Sequence, residues 1–183
     1  MEREIKLKRK DGEVLKGKIK ILDESYIDKI MMLQEEIMNG LTNKEWYSPS
    51  SREEFLIQIT KIGKIVGCVL EDDRLVAIGA YVEWGYEDHN YGYDLDIKDK
   101  ELLQVGQIEA TIVHESFRGN GLQNKICTKV EKIAKINKNK VIAATVHPDN
   151  IYSLRTFQKL GYEIKKEKLK YGGLRRLILK KII

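Results

Sequence analysis

The sequence has few of the residues that build disulfide frameworks and metal sites. Its 183 residues include two cysteines and three histidines. Cys68 and Cys127 lie in apolar neighbourhoods without paired or CxxC spacing, which argues against a disulfide framework and against a zinc site. The histidines are scattered and form no metal-binding motif, so we expect no bound metal. Free thiols of this kind suit a reducing cytoplasm.

Long apolar runs are also missing. The first residues, Met1 to Lys6, contain no run resembling a signal peptide, and the longest apolar stretch, Leu75 to Val82, is far too short to span a bilayer. We therefore expect a cytoplasmic protein without membrane contact. With two prolines and no stretch that reads as a linker, residues 1–183 are predicted to form a single domain whose core covers about 17–181.

The charge balance is nearly even. Lys and Arg number 33 and Asp and Glu number 28, a formal net charge of +5. This excess can attract phosphate-bearing ligands, but it lacks the dense basic stripe of a nucleic-acid binder, so nucleic acid is not an expected partner. A solvated surface is the simpler explanation of the excess.

Hydrophobic periodicity predicts a strand at Gly17 to Leu22 and a helix capped by Asp23. The motif Ser51-Arg52-Glu53-Glu54 fits a capping box and predicts a second helix that ends near Gly63. Residues 64–70 and 75–84 are apolar, and a short polar turn joins them, which predicts a hairpin.

The second half alternates strands and helices. We predict strands at 107–113 and 140–146, helices from Leu122 and over 151–160, and a closing hairpin over 163–183. Gly161 is predicted to end the second of these helices in a left-handed conformation. Two strands joined by a helix form a right-handed crossover and hence a parallel pair, and ligands favour the carboxyl ends of such strands. The fold class is therefore α/β.

An aromatic stretch separates the two halves. Residues 81–93 hold Tyr81, Trp84, Tyr86, Tyr91 and Tyr93, interleaved with Gly, Asp and Asn. One interpretation is an acceptor pocket or a contact in a homodimer. The other is a hairpin edge whose aromatic side chains cover the sheet.

A glycine-containing turn leads from the strand ending at Val113 into the helix beginning at Leu122. Two glycines let the backbone approach a ligand closely, and the free amides of a first helical turn carry the positive end of the helix dipole. Spacing of this kind is typical of a phosphate or pyrophosphate site, although many such turns carry glycine merely to turn.

The turn Arg118-Gly119-Asn120-Gly121 resembles the acyl-CoA pyrophosphate loop of the GNAT superfamily of N-acetyltransferases. That loop reads Arg or Gln, two variable residues, Gly, one variable residue, then Gly or Ala, and Gln123 departs from it at the last position. A second family pattern, Asn-x-x-Ala/Ser followed by an aromatic residue and Gly-Phe/Tyr, follows the next strand. It is matched by Asn150, Ser153, Phe157, Gly161 and Tyr162.

The resemblance implies a GNAT fold, with a mixed central sheet of about six to seven strands, a splayed parallel pair and flanking helices. It also implies that acetyl-CoA enters where the strands ending at Val113 and Val146 splay apart. Pantetheine would bond the backbone near Ile112 and Val113, and pyrophosphate would lie on the amides from Arg118 to Gln123. The residues implied in cofactor binding are Ile112, Val113, Arg118, Gly119, Asn120, Gly121, Leu122, Gln123, Asn150, Ser153 and Phe157.

The sequence also departs from the family at the position of the general acid. Members that protonate the CoA thiolate with a tyrosine place it where this chain has Phe157, and phenylalanine has no proton to give. We expect Phe157 to pack against the core or the cofactor. Water or another tyrosine, such as Tyr152 or Tyr171, would then supply the proton.

Glu109 is the candidate general base, because it is the only acidic side chain inside the strand that lines the cofactor site. Alternation along the strand places it on one face with Gln107, Thr111 and Val113. A salt bridge to a lysine, or simple solvation, is the structural alternative. His114 and His147 lie near strand ends and are further candidates, although a hydrogen-bonding role suits them better.

The resemblance implies transfer of an acetyl group from acetyl-CoA to a primary amine of a small molecule or peptide, by direct attack in a ternary complex. Acetyl-CoA and an amine acceptor are the expected partners. A catalytically weak acyl-CoA-binding module, acting as a sensor or partner-binding subunit, is the alternative that the phenylalanine at 157 leaves open.

Overall fold

The computed structural model describes residues 4–183. Met1, Glu2 and Arg3, part of the segment considered for a signal peptide, lie outside the described residues. The strands are β1 (Glu4–Lys8), β2 (Val14–Leu22), β3 (Gly63–Leu70), β4 (Leu75–Val82), β5 (Val105–Val113), β6 (Val141–Val146), β7 (Glu163–Lys170) and β8 (Leu174–Ile182). The helices are α1 (Ile27–Gly40), α2 (Arg52–Ile57), α3 (Leu122–Ile136) and α4 (Ile151–Lys159).

The strands form one mixed sheet in the order β1-β2-β3-β4-β5-β6-β8-β7. Among the described residues, β5 and β6 are the parallel pair, and the other neighbours are antiparallel. The predicted fold class is confirmed, but the sheet has eight strands rather than six or seven. The strand that we did not predict is β1, which lies before the expected start of the core at Gly17 and buries Leu7 against the sheet.

Local signals at the helix ends account for where the helices begin and end. The Asp23 side chain accepts a hydrogen bond from the Ser25 amide and opens a short 3-10 turn that leads into α1. Ser51 and Glu54 form the predicted capping box at α2, which continues through a π-helical turn to Ile62. Gly161 adopts a φ of +89° after α4, as predicted.

Helices cover both faces of the sheet. On one face, α3 and α4 bury a core that includes Ile126, Val130 and Phe157. On the other, α1 and α2 bury a core around Ile30, Phe55 and Ile78. Within residues 4–183, no helix has both the length and the apolar character needed to cross a membrane.

A β-bulge divides β5 into two halves. Glu109 pairs with Ala80 and Ile112 with Ile78, so one residue of β4 opposes two residues of β5, and Ala110 has a φ of +49°. The bulge reverses the alternation of side chains. The prediction that Glu109 shares a face with Thr111 and Val113 is therefore wrong.

The parallel pairing of β5 with β6 ends close to this bulge. The register runs from Val105 opposite Val141 to Ile108 opposite Ala144, and beyond it the two strands diverge. The edge of β5 that faces β6 therefore has no paired strand from Glu109 onward. The two cavities described next meet at this gap in the sheet.

Candidate functional site

Two connected cavities lie at the gap between β5 and β6. The larger, of about 790 Å³, runs along the end of β5, the loop before α3 and the start of α3, and we call it the α3 cleft. The smaller, of about 490 Å³, lies under the 85–94 loop and beside the β7–β8 hairpin, and we call it the Glu109 pocket. Both are lined by Trp46, Tyr47, Thr111, Asn150 and Ser153, so a molecule in one can meet a molecule in the other.

The amino terminus of α3 faces the larger cavity. Gly121 is its N-cap residue with a φ of +67°, and no side chain among residues 4–183 caps the helix through this position. Gly119 has a φ of +86°, and a Cβ built there would meet no atom within 4 Å, so its backbone is open. The first turn contains no acidic residue. The helix therefore presents free amides and a positive dipole end to an anion.

Most of the residues predicted to bind the cofactor line the α3 cleft. They are Ile112, Val113, Arg118, Gly119, Gly121, Leu122, Gln123, Asn150 and Ser153. Arg155 and Lys159 of α4 line it as well, which adds two cations that the sequence prediction did not include. Three cations beside uncapped amides make the cleft suited to a phosphate-bearing ligand.

Gln123 and Ser153 are brought together although they are 30 residues apart. The Gln123 Nε2 atom donates to the Ser153 Oγ atom at 2.8 Å. Asn150 caps α4, where its Oδ1 atom accepts from the Ser153 amide at 3.2 Å. The departure from the family pattern at Gln123 therefore ties α3 to α4 across the end of the cleft.

Asn120 lies outside the lining of both cavities. Its side-chain amide accepts from the Lys8 amide and donates to the Lys8 carbonyl, both at 2.8 Å, and it also donates to the Phe117 carbonyl at 2.9 Å. This side chain fastens the glycine-containing loop to the end of β1. The Asn120 side chain therefore holds the loop in place and does not line the predicted cofactor site.

Glu109 lies in the smaller cavity and is held by three neutral donors. Gln58 Nε2 donates to it at 2.8 Å, Trp84 Nε1 donates at 2.9 Å, and Gln107 Nε2 donates from two positions earlier in β5. Within residues 4–183, no Lys, Arg or His nitrogen lies within 4.0 Å of its carboxylate. The structural alternative of a salt-bridged or freely solvated Glu109 is therefore wrong.

Burial raises the pKa of the Glu109 carboxyl, and the hydrogen bonds from Trp84 and Gln107 oppose the rise without cancelling it. A carboxylate whose pKa lies above its usual range accepts a proton more readily near neutral pH. The arrangement therefore favours proton acceptance by Glu109 from a group in the pocket.

Phe157 is packed as expected. Its side chain is 2% exposed and forms an edge-to-face contact with Tyr162, whose ring centroid lies 5.1 Å away. It borders the Glu109 pocket and not the α3 cleft, which holds most of the residues predicted to bind the cofactor.

The two tyrosines considered as proton donors occupy different places. Tyr152 is 73% exposed at the α3 cleft. Tyr171 lines the Glu109 pocket, where its hydroxyl contacts the Tyr91 hydroxyl and lies 3.1 Å from Thr145 Oγ1. Burial raises the pKa of Tyr171.

The two histidines near strand ends cap turns. The Nδ1 atom of His114 accepts from the Ser116 amide, and that of His147 accepts from the Asp149 amide, each at 3.1 Å. Neither histidine lines a cavity. His89, which the sequence did not single out, does line the Glu109 pocket and stacks on Trp84 at 4.7 Å between ring centroids.

The aromatic stretch starts in β4, which ends at Val82, and from Glu83 onward it is a loop that enters a 3-10 turn at Tyr93, so the prediction of a hairpin edge is wrong. Tyr81 is in the core, Trp84 and Tyr91 line the Glu109 pocket, and Tyr86 and Tyr93 are exposed. Asn90 holds the loop by donating to the carbonyls of Gly85 and Leu102.

Comparison with known proteins agrees with this geometry. The model of the acetyltransferase (GNAT) family matches residues 27–162, which is most of the chain. The chain belongs to the GNAT acetyltransferase family. No curated protein matches it in sequence.

Solved structures of GNAT acetyltransferases share the fold at low sequence identity. A probable acetyltransferase from Staphylococcus epidermidis is 16% identical with a TM-score of 0.69, covering 91% of this chain and 98% of that one. YncA from Salmonella typhimurium, solved with its cofactor acetyl-CoA, is 15% identical with a TM-score of 0.65, covering 90% and 92%. The ribosomal-protein-S18-alanine N-acetyltransferase from Escherichia coli is 10% identical with a TM-score of 0.67, covering 91% and 94%. Family and fold together support acetyl transfer as the general activity of this GNAT protein.

Proposed function

We propose that this GNAT protein, acting as a single domain, transfers the acetyl group of acetyl-CoA to a primary amine by direct attack in a ternary complex. The observation that carries the proposal is the junction of the two cavities at the gap between β5 and β6. One cavity has the features of an anion site, and the other holds the half-buried carboxylate of Glu109.

The α3 cleft fits the CoA part of the cosubstrate. Uncapped amides at Gly121 and the following turn, together with Arg118, Arg155 and Lys159, suit a pyrophosphate. The unpaired edge of β5 at Ile112 and Val113 offers backbone groups to an amide-containing chain such as pantetheine.

The chain's own residues then have two tasks. Acetyl-CoA supplies an activated acetyl thioester at the gap. Backbone amides near Val113 donate to the acyl carbonyl oxygen and stabilise the charge that develops on it. Glu109 accepts the proton of the acceptor's ammonium group, directly or through water, so that the nitrogen lone pair can attack the acyl carbon. The carbon–sulfur bond of the thioester then breaks, the nitrogen loses its second proton to water, and the departing CoA thiolate takes a proton from water.

A covalent acetyl-cysteine is not part of this proposal. Burial raises the pKa of the Cys68 and Cys127 thiols to about 12 in each case. Neither cysteine lines a cavity, so neither thiolate is available to the thioester. Positioning supplies the largest part of the rate instead, on the order of 7 kcal/mol for a well-oriented bimolecular step.

The test combines calorimetry with a free-thiol assay. Acetyl-CoA binding is measured first, and release of CoA thiol is then followed over a panel of polyamines, amino acids, aminoglycosides and peptide N-termini. Turnover with any amine, with the acetylated product found by mass spectrometry, supports the proposal. Tight binding without turnover on the whole panel would favour the acyl-CoA-binding module instead.

A further inference from the structure

Arg176 is a buried cation without a partner carboxylate at the Glu109 pocket. Its side chain is 3% exposed and lines the pocket from β8. Its Nη1 atom donates to the carbonyl of Arg175, whereas its Nη2 atom has no hydrogen-bond partner among residues 4–183. No carboxylate of the described chain lies within 4.0 Å of the guanidinium, and the mostly exposed Glu45 acts on it only at longer range. Arginine is almost never fully buried unless it is paired.

The two lysines at this end of the pocket share one carboxylate partner, so each is paired although their cluster keeps one net positive charge. Lys168 and Lys170 lie 2.6 and 2.5 Å from the two oxygens of Asp94. Burial alone would raise the pKa of Asp94, but the hydrogen bonds from the two lysines bring it below its ordinary value. Arg176 differs from both lysines because, among the described residues, it has no carboxylate partner and keeps an unbonded donor atom for a ligand.

The fold places Arg176 at the same edge of the sheet as the gap. Val146, the last residue of β6, pairs with Leu177, so Arg176 lies just beyond the end of β6. Its guanidinium carbon lies 5.4 Å from the ring centroid of Tyr171, which also lines the pocket. The charges of Glu109 and Arg176 act in opposite directions on the pKa of the Tyr171 hydroxyl, so both lie within electrostatic reach of it.

A small molecule that fills this pocket thus meets a carboxylate on β5 and a guanidinium on β8. The pocket volume of about 490 Å³ falls within the range of sites for small molecules. We propose that the acceptor carries, besides its primary amine, a carboxylate that pairs with Arg176, so that the substrate class is an amino acid or a compound built like one. The inference rests on the proposed function, because the amine is taken to be the acetylated group.

Matched acceptors test the proposal without any mutation. The proteinogenic amino acids are compared with their carboxamides and with the corresponding decarboxylated amines in the free-thiol assay. Two charge-assisted hydrogen bonds, at about 1.5 kcal/mol or more each, predict at least about a hundredfold higher kcat/KM for the best amino acid than for its amide. If amides or decarboxylated amines match or exceed the acids, the inference is wrong, while the proposed function stands. If no amine is acetylated although acetyl-CoA binds, both fail.

Variants of Arg176 locate the effect. Arg176→Gln should lower kcat/KM for the amino acid by about a hundredfold and change that for its amide by no more than about threefold. Arg176→Lys should recover part of the loss, because it keeps the charge and loses the planar fork. Arg175→Gln is the matched control, since Arg175 is exposed and pairs with Glu167. An equal loss for acid and amide in Arg176→Gln would overturn the assignment, and if that variant does not fold, the wild-type comparison above decides.

Discussion

Replacing Glu109 with glutamine removes the proposed base and leaves its surroundings nearly intact. The carboxylate accepts from Trp84 and Gln107 on one oxygen and from Gln58 on the other. In Glu109→Gln the remaining oxygen can keep the first two bonds. The new amide then faces Gln58, whose own buried Oε1 atom has no partner and can accept after a rotation of its carboxamide. The substitution should therefore cost at most about 1 kcal/mol in hydrogen bonding.

The expected effect on the rate is much larger. Loss of a general base lowers turnover by about 10² to 10⁴, equivalent to about 3 to 5 kcal/mol in the activation free energy. The loss should shrink as the pH rises, because free amine becomes available without help from the enzyme. The kcat of both proteins is measured between about pH 6 and 9 at saturating acetyl-CoA. Glu87→Gln is the matched control, because that side chain is exposed, lies in the neighbouring loop and lines neither cavity.

The pH dependence of the Tm gives a second test of Glu109→Gln. Because the folded-state pKa of Glu109 is raised, the wild-type protein gains protonation free energy at low pH and loses it as the pH rises through the folded pKa. Glutamine does not titrate, so Glu109→Gln does not lose stability in this way as the pH rises. Its Tm relative to wild type should therefore be higher at neutral pH than at acid pH. Normal turnover of Glu109→Gln across the whole pH range, with acetyl-CoA affinity unchanged, would refute the base assignment.

Three further substitutions test the surrounding structure. Gly121→Val, at a φ of +67°, should weaken acetyl-CoA binding by about a hundredfold in calorimetry, whereas Gly172→Val, at a φ of +80° in the turn between β7 and β8, should leave it unchanged. Phe157→Leu should lower the free energy of unfolding by about 1 to 2 kcal/mol, measured by denaturant titration, with kcat retained, and a large loss of kcat in a stable protein would contradict the packing role. Asn120→Ala should cost about 1 kcal/mol of stability, because its hydrogen bonds to the exposed Lys8 backbone are replaced by bonds to water, and an unchanged unfolding midpoint would argue against that contact.

Features carried by local signals were predictable from the sequence. The capping box at Ser51, the left-handed Gly161 and the apolar stripe of α3 each follow from residue type and spacing, and each is present. The spacing of the glycines predicted only an anion site before α3, and the rest of the residues that line the α3 cleft came from the resemblance to the GNAT superfamily.

Features that depend on distant contacts were not predictable. The bulge in β5 arises from its register against β4, and the bulged position in β5 is an alanine and not a glycine, so simple alternation placed Val113 on the wrong face. The Gln58 and Trp84 contacts with Glu109 join segments that only the folded sheet brings together. Arg176 did leave a signal, because alternation in β8 puts it on the same face as the buried Ile178. An arginine at such a position indicates either a buried ion pair or a ligand site.

The bulge at Ala110 accounts for the origin of the gap between β5 and β6. Deleting Ala110 would leave Glu109 opposite Ala80, Thr111 opposite Gly79 and Ile112 opposite Ile78. Every remaining side chain of β5 would then stay on its present face of the sheet. It would also remove a left-handed alanine, a conformation that costs about 1 to 2 kcal/mol. A deletion variant is thus expected to be more stable in thermal unfolding and to bind acetyl-CoA more weakly, because β5 can then continue its pairing with β6. A variant that keeps both its Tm and its affinity would show that the opening has another origin. By this reasoning, one inserted residue keeps the gap between β5 and β6 open and makes the sheet less stable.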